Sequence, residues 1–171
     1  MHKPWEHAED IKSFFKDKRL TVSGLEEKIE KSLQHASDLE DLATKKGIEI
    51  IEPFQGVTGF NYIMHVLGPS KEYYQGLLSQ FRQTPVPIKA LDFLAPVQKL
   101  AKETIKWVND AFHLDLLDDD EDTTSAENNT STIILFNVDG HKLLFTGDAG
   151  KTALLQAVDY ADNRQIILSD L

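Results

Sequence analysis

Ser131-Thr132-Ile133-Ile134-Leu135-Phe136-Asn137-Val138, then Asp139-Gly140, then His141-Lys142-Leu143-Leu144-Phe145-Thr146-Gly147-Asp148-Ala149-Gly150, is the stretch that decides the fold. β-Branched and aromatic residues crowd both arms. Asp-Gly is a dipeptide favoured by the tight type I′ hairpin turn, in which both central residues need positive φ. The stretch therefore predicts a strand from Ser131 to Val138, a two-residue turn, and a returning strand from Lys142 to Thr146. Gly147 and Gly150 then free the backbone, and a helix from about Lys151 to Tyr160 follows. Gln165 to Leu168 predicts one more strand.

Outward from this hairpin, the preceding chain alternates helix and strand. Asp115 to Glu127 is acidic and reads as a mobile surface loop, because clustered like charges repel and offer nothing to bury. Before it, Leu91, Leu94, Leu100, Ala101, Ile105, Val108 and Phe112 outline a helix, with Pro96 at a kink or first turn. Residues 85–115 thus read as a helical insert, set off by the break Thr84-Pro85-Val86-Pro87. Asn61 to Leu67 predicts a strand, followed by the turn Gly68-Pro69-Ser70 and a helix through Leu78 and Phe81. Ile48 to Ile51 predicts a short strand that Pro53 ends.

Further upstream, Ser23-x-x-Glu26 matches a capping box opening one long helix. Its apolar positions are Leu25, Ile29, Leu33, Ala36, Leu39, Leu42 and Ala43, and Gly47 stands as its C-terminal glycine. A shorter helical segment, Ala8 to Lys18, carries Ile11, Phe14 and Phe15 on one face. The class is mixed α/β, in one domain spanning residues 1–171.

Composition narrows the function. A hydrophobic content of 41% with 27% charged residues is that of an ordinary globular domain. The net charge of −10, with no basic run, disfavours a polyanion ligand and leaves no strong nucleic-acid patch. The absence of cysteine excludes disulfides and thiolate metal sites, and suits a reducing cytoplasm. No apolar stretch approaches the ~20 residues that span a bilayer, and the opening Met1 to His7 has no signal-peptide core. A cytoplasmic protein without a membrane partner is expected.

Candidate chemistry is sparse. The six histidines include no His-x-His or His-x-x-x-His pair, so no self-contained zinc cluster is legible. Gly150-Lys151-Thr152 imitates the end of a phosphate loop, but Phe145 stands where its first glycine belongs. Asp118, Asp120 and Asp122 imitate a calcium loop, but Thr123 replaces the turn glycine and Asn129 the bidentate glutamate. Asp148 stands apart, at the C-terminal end of an apolar strand. It is either a functional carboxylate or the N-cap of the next helix.

The order Asn128-x-x-Ser131, strand, hairpin, Leu143-Leu144-Phe145-Thr146-Gly147-Asp148-Ala149 resembles a stretch of the metallo-β-lactamase-fold hydrolases. The resemblance is to the branch related to DNA-internalisation (competence) proteins. His65-Val66-Leu67-Gly68-Pro69-Ser70-Lys71-Glu72-Tyr73-Tyr74 is similar to an upstream segment of that branch, and His2-Lys3-Pro4-Trp5-Glu6-His7 resembles the segment after its first metal motif. The resemblance implies part of an αββα sandwich and a pair of divalent metals, usually zinc. It implies that Asp148 is a metal ligand, and that Asn128 and Ser131 touch ligands or substrate. Asn128 stands where the wider family has a histidine. The substrate class implied is a small molecule or phosphodiester, cleaved by metal-activated water.

The family's H-x-H-x-D-H signature is missing, as is its late histidine after the strand expected at Gln165 to Leu168. The expectation is therefore an interior or truncated portion of a longer hydrolase, inactive alone, with an uncovered sheet face prone to self-association. The alternative is a metal-free interaction module or a non-catalytic descendant of the fold.

Overall fold

A computed structural model describes residues 1–15, 17–82 and 124–168. The hairpin read from the sequence is present. β3 (Ile133–Val138) and β4 (His141–Phe145) pair antiparallel, from Ile134 opposite Phe145 to Val138 opposite His141. Asp139 and Gly140 have φ of 51° and 81°, the positive pair that a type I′ turn requires. On the other side of β3 lies β2 (Met64–Gly68), which also pairs with the two-residue β1 (Thr58–Gly59). The sheet is antiparallel throughout, in the order β1-β2-β3-β4.

Two helices cover one sheet face. α4 (Lys71–Leu78) contributes Tyr73 and Leu77, and α6 (Lys151–Asn163) contributes Ala153, Leu155, Ala157, Val158 and Ala161. They close over Leu67, Ile133 and Leu135, with Leu144 at the margin. Each leucine, isoleucine and valine among them contributes roughly 1.5–3 kcal/mol by leaving water, so this contact supplies much of the fold's cohesion. Ser70 starts α4 by accepting a hydrogen bond from the Tyr73 N–H at 3.1 Å.

A second core joins α4 to the N-terminal segment. Trp5, Ala8, Ile11 and Phe15 pack with Leu25 and Ile29 of α2 (Val22–Ser32) and with Tyr74 and Leu78 of α4. The N-terminal segment is a 3₁₀ turn at Pro4–His7, the one-turn α1 (Ala8–Ile11) and a second 3₁₀ turn at Lys12–Phe14. Its helical run stops there, since Phe15 is extended (φ −99°, ψ 143°), short of the Lys18 expected.

Other boundaries differ from the sequence reading. The long helix is two, α2 and α3 (Gln34–Lys45), broken at Leu33 (φ −122°, ψ 37°), and Leu39 and Leu42 are left exposed. Thr21, not Ser23, caps α2, accepting from the Gly24 N–H at 3.0 Å. Gly47 does end α3 in the left-handed conformation, with the Ile48 N–H bonded to the Ala43 carbonyl at 2.9 Å. Ile48 to Ile51 and Gln165 to Leu168 are not strands. The second strand begins at Met64 because Phe60, Asn61 and Tyr62 form a left-handed run, with φ of 52°, 54° and 66°. This run presents Phe60 and Tyr62 to solvent, 71% and 75% exposed.

The expected helical insert at 85–115, and the acidic loop up to residue 123, lie outside the described residues. The described end of that stretch is helical: α5 (Ala126–Asn129) is a single turn capped by Ser125. The mixed α/β class is present, as one four-stranded antiparallel sheet with helices. Across β3 and β4 the second face of this sheet is apolar and increasingly uncovered. Phe136 meets Phe145 edge-on at 5.7 Å between centroids, while Val138, Leu143 and Phe145 are exposed. Among the described residues, no helix is long and apolar enough to cross a membrane.

Candidate functional site

β4 stops at Phe145, and Thr146 to Gly150 carry the chain to α6. This loop is clamped onto the turn that precedes β3. Gly147 has φ 55°, and a Cβ there would stand 3.2 Å from the Ser131 Cβ, so both conformation and space call for glycine. The Gly150 N–H donates to the Asn129 Oδ1 at 3.1 Å, and a Cβ on Gly150 would come within 2.8 Å of that oxygen. The turn is itself braced: the Ser131 N–H donates to the Asn128 carbonyl at 2.9 Å, and the Asn128 N–H to the Ser125 hydroxyl at 3.2 Å.

On this clamped loop Asp148 is exposed, and no hydrogen bond or ion pair holds its carboxylate among the described residues. It is not the cap of the next helix. Gly150 occupies that position, with no side-chain cap bond. Ser131 is half-buried against Gly147, so the structure brings Ser131 and the Asp148 loop together. Asn128 is exposed and braces the turn through its backbone. The residue that sequence reasoning missed is Asn129, buried, whose side chain ties the two loops. Two adjacent asparagines differ only in which way they point, and their types alone carry no signal of that.

Among the described residues no group of three or more histidines and acids is arranged to hold a metal ion. The nearest concentration of such side chains is a separate cluster beneath the N-terminal segment. Glu52 accepts from the Lys3 N–H at 2.7 Å, and both its oxygens lie 3.2 Å from the His7 Nε2. The Gln75 amide nitrogen lies 3.1 Å from the His7 Nδ1 and 2.6 Å from the Asp10 Oδ2. Gln75 donating to Nδ1 leaves the His7 proton on Nε2, directed at Glu52. Both ring nitrogens of His7 thus have hydrogen-bond partners.

His2 completes this cluster. Its ring stacks on Tyr74 at 4.4 Å and tilts on Phe54 at 4.8 Å, and its Nε2 lies 3.4 Å from the Thr132 Oγ1. Its Nδ1 is buried and has no hydrogen-bond partner among the described residues; the Glu52 Oε1, at 3.9 Å, is too distant. Burial pushes the His2 imidazole down to about 4; Glu52 opposes this, and the Met1 amine and His7 add to it. Burial alone would raise the Glu52 carboxyl, but the His7 and Lys3 hydrogen bonds prevail and hold it below its usual range. Burial, then the Glu52 charge, raise the Tyr74 phenol.

An open cleft of ≈ 280 Å³ is lined by His65 and Leu135 at mid-strand, by Asn137 and Lys142 nearer the β3–β4 turn, and by the segment after α6. No residue of the Asp148 loop lines it. Comparison with known proteins finds no matching family model, no matching curated protein and no matching solved structure.

Proposed function

We propose that this chain forms part of a metal-dependent hydrolase of the metallo-β-lactamase type, with Asp148 as one ligand of a divalent metal pair and an ester or phosphodiester as substrate. The observation that carries this reading is the setting of Asp148: an exposed, unpaired carboxylate at a strand end, on a loop clamped to the Asn128–Ser131 turn. A fixed backbone under a free carboxylate suits a ligand, because metal affinity depends on donors oriented in advance. The described residues do not by themselves make a metal site. The remaining ligands, and the other half of the αββα sandwich, are assigned to polypeptide outside the described residues. Zinc follows from the family resemblance alone.

The test is zinc content and phosphodiester hydrolysis of the longest natural product that carries this chain, beside its Asp148→Ala variant. The expected result is bound zinc and activity in the parent, both reduced in the variant. Equal zinc and equal activity in the two would remove Asp148 from the site. A second reading, a metal-free interaction module, is favoured by the uncovered apolar face at Leu143 and Phe145. A parent that binds no zinc but forms a complex lost on Leu143→Lys would establish it instead.

A further inference from the structure

We propose that His2, Glu52 and His7 form an acid-sensitive clasp, which holds the N-terminal segment to α4 and β3 while His2 is neutral and releases it when His2 takes up a proton. The clasp lies where the segment, the connection after α3, α4 and the start of β3 meet. Facing His2 are Glu52 from the connection, Tyr74 from α4, His7 and the Met1 amine from its own segment, and the uncharged Thr132 before β3. Lys3 and Asp10 bear on it through Glu52 and His7.

The geometry favours the neutral ring. A neutral imidazole needs one acceptor for its single N–H, while the cation needs two. The His2 Nε2 has Thr132, but among the described residues Nδ1 has nothing within hydrogen-bond distance, and Glu52 is already engaged by His7 and by the Lys3 N–H. A protonated His2 must therefore shift toward Glu52 or out to water. Either movement breaks its stack on Tyr74 and its contact with Phe54. Tyr74 also belongs to the core that holds Trp5, Ile11 and Phe15. Loss of the stack loosens the segment that this core secures, while the sheet and α6 depend on the other core.

Amide hydrogen exchange between pH 7 and 4.5, corrected for intrinsic rates, tests this. In the unmodified chain the opening equilibrium of residues 5–15 should rise about tenfold per pH unit below about pH 6, the slope of one proton taken up on opening. The amides of Val66 and Leu135 in the sheet open only with the whole fold, so they should stay better protected than those of the segment at every pH. His2→Phe retains a stacking ring without the titration and should flatten the slope. In the unmodified chain the His2 Cε1 resonance should show a neutral ring above pH 5. A His2 ring that titrates near its ordinary value, a slope that survives in His2→Phe, or segment amides as well protected as those of the sheet would each overturn the proposal.

Discussion

Tyr73 and Tyr74, neighbours in α4, are buried in different cores: Tyr73 against the sheet and α6, Tyr74 against the N-terminal segment and α2. Leu77 and Leu78 repeat the division one turn later. A helix advances about 100° per residue, so adjacent side chains turn to different sides, and two such pairs give α4 two buried faces. It is the one described helix that serves both cores, and with two faces buried it carries no charged residue beyond its first turn.

The clamp between Asn129 and Gly150 should show in stability. Asn129→Ala removes a buried acceptor and leaves the Gly150 N–H unsatisfied, a loss of about 1–3 kcal/mol. The exposed Asn128→Ala should change stability by less than about 0.5 kcal/mol. Urea midpoints of the two variants check this, and equal midpoints would contradict the clamp.

Asp148→Ala should leave the fold unaffected. With its carboxylate exposed and unpaired, the expected change is within about 0.5 kcal/mol by thermal or chemical denaturation. A large loss would reveal a structural role and count against its being held for a ligand.

Stability should fall on the acid side through His2. Its ring titrates at 6.5 when free and at about 4 in the fold, so between these values the unfolded chain binds the proton first. The neutral ring's contribution is complete above pH 6.5 and is lost as pH falls toward 4, a total of about 3 kcal/mol. The depressed Glu52 carboxyl adds a loss of the same sign, below its ordinary value of 4.5. Urea melts at stepped pH should show a shallower decline in His2→Phe than in the unmodified chain.

The uncovered face should reveal itself in solution. Leu143→Thr and Phe145→Thr remove exposed apolar area, each costing roughly 0.2–1 kcal/mol through its cross-strand contact with Phe136. Both should bind less of a hydrophobic dye and sediment with less self-association than the parent. Unchanged dye binding would mean that something else already covers this face.

The parts of the fold legible in the sequence were those set by local chemistry. Asp139-Gly140 specified its turn, Gly47 its helix end, and the apolar runs beside the turn their pairing. Legibility failed where the deciding partner is remote. Ile48 to Ile51 has the composition of a strand but pairs with no strand among the described residues, so it stays irregular and exposed in part. Leu33 continues the helical spacing of Leu25 and Ile29, which hides the break there. The Ser131–Gly147 contact was implicit only in the pairing of β3 with β4. The clasp was invisible, because residues 2, 7, 52, 75 and 132 share no spacing that a linear reading can detect.

The left-handed run at Phe60, Asn61 and Tyr62 bears on how this chain could be re-engineered. Asparagine tolerates that backbone, but a bulky aromatic side chain held there costs about 1 kcal/mol, and two flank it. Neither ring recovers that energy by burial, since both stand in solvent. The β1–β2 hairpin is thus a spring held under load by its own sequence. Glycine in place of Phe60 or Tyr62 would relax it, making the tip a natural point for grafting a peptide or raising thermal tolerance without disturbing either core.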